Sequence, residues 1–260
     1  LTLPDFVHGR VIFTGDAAHL LPIFGVRGAN TAFQDAQSLG WHLAYVVQGL
    51  AGPQLLTNHS TERVGAAREI ITEAGKSTRF MAPPSRGFRL LRDAVLSLSL
   101  TQEFVRPLYH WRTSRPHAYS HSDLNSQFHE ADTFKDGLAL GAPPQNVQLT
   151  KDNFLLDHLG GGFDLVYLAD KTGIPEDIQA ATQLAKQQGI PFKLLAITQE
   201  AGSVSGADVT LFDPDNRFAT RYGVSVGGAY LFRPDQHICA RWSQLNAAQI
   251  GQSLKKALMQ

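Results

Sequence analysis

Cysteine is almost absent. The 260 residues hold one, Cys239, which excludes an intramolecular disulfide framework and any CxxC pair. One thiol fits a reducing compartment, and a cytoplasmic location is expected. No excess of charge exists either: 23 Lys+Arg stand against 23 Asp+Glu. The basic footprint that nucleic acid demands is therefore missing, and no nucleic-acid partner is expected. Long apolar runs are missing too. None approaches the ~18 residues of a membrane span, so no membrane partner is expected. The opening LTLPDFVHGR lacks the charged-then-apolar pattern of a signal peptide, and no repeat or low-complexity tract follows. What the chain does have is apolar mass. Its 43% hydrophobic residues suffice for the core of one large or two modest domains.

The first half reads as a strand followed by helices. RVIFT at 10–14 predicts a short buried strand, ended by Gly15. TAFQDAQSLGWHLAYVVQGL predicts a helix whose inward stripe is Phe33, Ala36, Gly40, Leu43, Val47 and Leu50, at three- and four-residue steps. Asn30 is its expected N-cap, and Gly49, Gly52 and Pro53 end it. A second helix is expected over 54–80, a break at APPSRG, and helical segments near 88–100 and 102–112, with Pro107 as a kink or start. From 113 to 150 the chain is polar, His-rich and poorly periodic, which predicts a surface connection at a domain boundary.

The remainder predicts a separate α/β unit. FDLVYLA (163–169) is a strand, and PEDIQAATQLAKQQG is a helix with Ile178, Ala181, Leu184 and Ala185 inward. FKLLAIT is the next strand and VTLFD begins another. GAYLFRPDQHICARW predicts two strands around a Pro234-Asp235 turn, and NAAQIGQSLKKALMQ a closing helix.

The residues between strand and first helix carry the chemistry. Asp16 stands at the strand's carboxyl end, after a glycine that lets a ligand approach the backbone. A carboxylate there accepts hydrogen bonds from hydroxyls and repels phosphate, so a sugar or polyol is the natural partner. Gly25 and Gly28 permit an unusual backbone path, and Ala29, Asn30 and Thr31 open the helix. Free amides and the positive end of the helix dipole favour negative charge there.

The stretch 9–43 resembles the second flavin fingerprint of FAD-dependent aromatic hydroxylases, the single-component flavoprotein monooxygenases. GRVIFTGDAAH is similar to their strand and GD motif, and LPIFGVRGANTAFQDAQSLGWHLA to the loop and helix that follow. HSTERVGAAREI at 59–70 resembles the family's next helix. The resemblance implies that Asp16, after Gly15, bonds the ribityl chain of FAD. It implies that Pro22 lies by the flavin ring on the substrate side. Beyond Gly25, the backbone of Gly28, Ala29 and Asn30 would meet the pyrimidine edge, with the helix dipole stabilising reduced, anionic flavin.

Two departures from the family stand out. Many members have glycine and glutamine where this chain has Val26 and Arg27. The GxGxxG turn that holds the FAD diphosphate, and the substrate-facing sheet, do not occur in this sequence. The chain is therefore expected to be a carboxyl-terminal portion that binds FAD poorly by itself.

The last part resembles the thioredoxin-like domain of the phenol and 3-hydroxyphenylpropionate hydroxylase branch. The places of the CxxC and of the active-site proline read DKTGIPED and SVGGAY, so the resemblance implies the fold without its redox chemistry. The fold class expected is α/β. Residues 1–112 would be the carboxyl-terminal part of a Rossmann-like FAD domain with long helices, 113–145 a linker, and 146–260 the thioredoxin-like domain.

The activity implied is hydroxylation of a small aromatic, phenolic substrate with FAD, NAD(P)H as co-substrate and O2, with a second copy of the chain, in a homodimer, as a further expected partner. A related epoxidase or halogenase chemistry is a further alternative. So is a non-catalytic piece that serves only packing or dimerisation. No covalent or acid/base catalyst is identified. His19 is expected to be structural. Arg27 is either a ligand for an anionic substrate or nicotinamide cofactor, or one half of a surface ion pair. His110, His117, His121 and His129 have no helical metal-pair spacing, and no metal is expected. Trp41 and Phe33 are expected in the core, Tyr109 and Trp111 at a domain contact or in the core, and Cys239 as an inert buried thiol.

Overall fold

The computed structural model describes residues 1–23, 27–109, 116–128, 134 and 137–260. They divide into two compact units, one of Leu1–Gly40 with His59–His117, the other of Trp41–Asn58 with Ala118–Gln260. Trp111, His110 and His129 lie outside the described residues.

In the first unit, β1 (Val7–His8) and β2 (Val11–Ile12) pair antiparallel around Gly9. The expected buried strand over 10–14 is thus only two residues long, and Val11 is 55% exposed. The reason is the lack of neighbours: β1 is its single sheet partner among the described residues. A 3-10 turn, Gly15–Ala17, leads on to α1 (Gly28–Val47), α2 (Gln54–Met81), α3 (Arg86–Ser99) and, after a 3-10 turn at Glu103–Val105, α4 (Arg106–Tyr109). Pro107 sits in the first turn of α4, where its missing N–H costs nothing. Phe6, Ala18, Val64 and Ala67 form a small core with Leu3 and Phe13 against it.

The face of α1 differs from expectation. Phe33 is 72% and Val47 76% exposed, and Leu43 is exposed as well, so the predicted inward stripe faces outward. The buried line is Thr31, Asp35, Ser38, His42 and Tyr45, at the same helical spacing. Polar side chains point inward here because they find partners there, as described below. Trp41 is buried, as expected. The helix also starts earlier than expected. Gly28 and Ala29 are already helical, and the Thr31 amide donates to the Arg27 carbonyl at 2.9 Å. Asn30 therefore stands in the first turn rather than at the N-cap.

The second unit is built on a five-stranded mixed sheet. Before it, β3 (Gln148–Thr150) and β4 (Asn153–Phe154) form a small hairpin. Then follow β5 (Phe163–Leu168), α5 (Glu176–Gln187), β6 (Phe192–Thr198), β7 (Val209–Phe212), α6 (Arg217–Tyr222), β8 (Ala229–Phe232), β9 (Ile238–Trp242) and α7 (Ala247–Ala257). The strand order is β7-β6-β5-β8-β9, with β5, β6 and β7 parallel and β8 and β9 antiparallel.

Both faces of this sheet are covered, so the central strands read as apolar runs, 165–168 in β5 and 194–197 in β6. Leu165, Leu194 and Leu231 pack toward Ile178 of α5 and Ile250 and Leu254 of α7. Val166, Leu195 and Phe232 pack on the other face with Phe218 and Tyr222 of α6. Each such side chain contributes roughly 1.5–3 kcal/mol by leaving water. On α5 the inward residues are Ile178, Thr182 and Ala185, whereas Leu184 is 55% exposed, one step round the helix from its expected place. The described parts of 113–145 are pinned rather than loose. Ser126 N–H donates to Cys239 O at 2.7 Å, Gly141 N–H to Ile238 O at 2.7 Å, and Leu124 is fully buried. The open edge of β9 supplies the acceptors that fix them.

Candidate functional site

The candidate site is the corner between β2 and α1, inside the first unit. Gly15 takes a left-handed φ of 58°, and a Cβ on it would meet the Ala32 Cβ at 3.2 Å. Glycine is required there for its conformation and for its close approach to α1. Asp16 comes next, in the 3-10 turn, and its side chain is exposed. Among the described residues its carboxylate has no hydrogen bond or ion pair.

The acid that clamps neighbouring main chain is a different one, which the sequence reading did not single out. Asp35, on α1, is fully buried. Its carboxylate accepts the Gly15 amide at 3.1 Å, the Arg63 Nε–H at 2.6 Å and His19 Nε2–H at 2.6 Å. Arg63 of α2 also donates to the Thr31 carbonyl at 3.3 Å. Burial alone would raise the Asp35 carboxyl. The His19 hydrogen bond, the Arg63 charge and the Gly15 amide outweigh it and hold the group below its ordinary 3.8. His19 is thus a hydrogen-bonded structural histidine, as expected. The signal that could have found Asp35 is an acid on the face shared with Thr31 and Ser38.

At the start of α1, the amides of Gly28, Ala29 and Asn30 have no acceptor within the helix. A Cβ on Gly28 would meet no described atom within 4 Å. Ala29 and Asn30 are exposed, and Pro22 is half-buried. Gly25 lies outside the described residues, with Phe24 and Val26. The Arg27 Nη2 is buried without a hydrogen-bond partner, and no described carboxylate pairs with that side chain. The corner and the helix start are close: Gly15 touches Ala32, one turn into α1. An outward carboxylate suits the hydroxyls of a polyol chain, and amides without an acceptor in their helix, at its positive end, suit the carbonyls of an electron-rich ring. The residues present therefore fit a flavin.

No group of three or more His, Cys, Asp or Glu side chains that could hold a metal is found among the described residues. In the second unit, Cys239 lies in β9, fully buried, and burial pushes its thiol up to about 12. Such a thiol is inert. A cleft of about 300 Å³ opens at the carboxyl ends of β5 and β6, between Asp170, Thr198, Glu200, Asn216 and Ser225. No described helix is long and apolar enough to cross a membrane.

Comparison with known proteins bears on the same stretch. The family model of the FAD binding domain matches residues 2–74, which contain the corner and the helix start. The chain is 27% identical over 257 residues to a 3-(3-hydroxy-phenyl)propionate/3-hydroxycinnamic acid hydroxylase of Mycolicibacterium gilvum (strain PYR-GCK), covering 98% of this chain and 45% of that protein. It is 31% identical over 242 residues to a 4-methyl-5-nitrocatechol 5-monooxygenase of Burkholderia sp, covering 90% of this chain and 40% of that protein. Among solved structures it is similar to the rebeccamycin biosynthetic enzyme RebC with reduced flavin. The TM-score is 0.71 at 26% identity, over 98% of this chain and 46% of that one. The chain thus spans less than half the length of these relatives.

Proposed function

We propose that this chain, whose residues 2–74 match the FAD binding domain, belongs to a flavin-dependent monooxygenase. That enzyme hydroxylates a small aromatic, phenolic substrate with NAD(P)H and O2. The observation that carries the proposal is the outward, unbonded Asp16 on a clamped glycine corner beside the start of α1, whose first amides have no acceptor within the helix. The phenolic substrate rests on relatives named for a hydroxyphenyl acid and a nitrocatechol.

Bound FAD would supply the redox chemistry, taking electrons from the nicotinamide and activating O2. The residues of this chain bind, orient and stabilise charge. Asp16 would accept hydrogen bonds from the ribityl hydroxyls, and the Gly28, Ala29 and Asn30 amides would donate to the pyrimidine edge. Pro22 would lie against the ring, with Gly25 shaping the loop between. The positive end of α1 would favour negative charge on the reduced ring.

The second unit supports a thioredoxin-like fold over 146–260: three parallel and two antiparallel strands, with α5 after β5 and α7 closing the chain. In place of a CxxC, β5 leads into Asp170, Lys171 and Thr172, and the Asp170 carboxylate accepts the Thr172 amide at 2.8 Å. This domain packs and stabilises rather than exchanging disulfides. The proposal includes the domain division at 113–145, a cytoplasmic location consistent with one buried thiol, and a homodimer.

The test is the full-length protein with a panel of phenols. Substrate-stimulated NAD(P)H oxidation that yields hydroxylated product is expected. Oxidation that no phenol stimulates, or that gives no product, overturns the proposal.

A further inference from the structure

We infer that Asp35 is the positioning residue of the flavin corner, anchored by Arg63 of α2, and that Asp16 reaches its ligand geometry only through it. This rests on the flavin reading above. The geometry singles out the amide of Gly15. A left-handed glycine leaving a two-residue strand can give its N–H to neither sheet nor helix. Asp35 takes it, and Asp16 follows one residue later.

Two further contacts fix Asp35 itself. Arg63 Nε lies 2.6 Å from one carboxylate oxygen, and His19 Nε2 lies 2.6 Å from the other, which also receives Gly15. The His19 ring has no other described hydrogen-bond partner, since its buried Nδ1 is unpaired. The ring therefore serves only this carboxylate. Two helices and the turn converge on one buried acid, and the group they immobilise is the Thr14–Gly15 peptide, one residue ahead of Asp16.

A carboxylate is needed because all three partners donate. Asparagine offers one acceptor oxygen and a nitrogen that donates; the buried Arg63 charge draws the oxygen, so Asp35→Asn turns the nitrogen toward the Gly15 N–H and breaks that bond. In this chain, Asp35→Asn is expected to speed hydrogen exchange of the Gly15 amide about tenfold or more and to shift its NMR resonance. Arg63→Lys, which keeps a cation beside Asp35, is expected to retain both signals. If Asp35→Asn alone does not fold, Asp35→Asn with Arg63→Gln removes the stranded guanidinium and is read in its place.

In the full-length flavoprotein, Asp16→Ala and Asp35→Asn are each expected to weaken FAD binding about tenfold, and the double variant no more than Asp16→Ala. An unchanged Gly15 amide overturns the inference. So does an Asp35→Asn protein that loses stability but binds FAD as the parent does, or a double variant with additive losses. If Asp16→Ala leaves FAD binding unchanged, the flavin reading fails. The Gly15 amide then still decides whether Asp35 sets the corner.

Discussion

Gly15 and Asp16 are neighbours with opposite duties, and substitution separates them. At Gly15 the left-handed φ of 58° costs an L-residue roughly 1–2 kcal/mol, and a Cβ 3.2 Å from the Ala32 Cβ adds crowding. Gly15→Ala is expected to lower the unfolding free energy by about 1–3 kcal/mol, measured by urea denaturation. Asp16→Ala should change it by less than about 0.5 kcal/mol, because the carboxylate is outward and unbonded. A large loss at Asp16 would mean the fold itself needs that acid. The pair is legible in sequence because glycine-acid after an apolar run has few other uses. Asp35 is not. Its partners Gly15, His19 and Arg63 lie 20, 16 and 28 positions away, and the polar face it shares with Thr31 and Ser38 reads equally as a solvated one.

Among the elements, helix α1 shows where periodicity misleads. Its apolar and polar residues both recur at helical spacing, and the rule that apolar means inside selects the wrong set. Phe33 and Val47 stand outside, while Asp35 and Ser38 are inside with Arg63, His19 and His59 as partners. Phe33→Ser is expected to leave stability within about 0.5 kcal/mol of the parent. Trp41→Ala, on the same helix, should cost about 3–5 kcal/mol, since Trp41 is buried and its Nε1–H donates to Asp235 at 3.0 Å. Equal losses for the two in thermal or urea unfolding would contradict this assignment of faces. The sheet strands are easier to read: β5 and β6 are covered on both sides, so the apolar runs 165–168 and 194–197 identify them whatever the register. Short β3, β4 and α6 were not. They are held from far away, as where Tyr222 donates its hydroxyl to Gln145 O at 2.8 Å and Arg217 donates to Gln148 O at 3.1 Å.

For the whole molecule, the balance of 23 basic and 23 acidic residues says nothing about which acids are buried. Three of the buried ones set the response to pH. Asp35 and Asp235 are held below the ordinary 3.8: burial opposes this in both, but His19 and Arg63 beside one and Arg233 beside the other prevail. An acid whose folded value is lowered stabilises fully above its unfolded value, and that contribution is lost as pH falls through the folded one. Asp164 runs the other way. Its burial raises it, despite the Gly160 amide and Lys193, so it favours the folded state most when protonated and loses that contribution as pH rises through its raised value. Stability is therefore expected to peak at mildly acidic pH and to fall steeply as pH drops below 3.8. Urea unfolding across that range checks the shape. Asp164→Asn should flatten the decline toward neutral pH, and Asp35→Asn should make the acid limb shallower. A chain that grows steadily more stable below the ordinary carboxylate range would show that Asp35 and Asp235 are not charged and paired in the folded state.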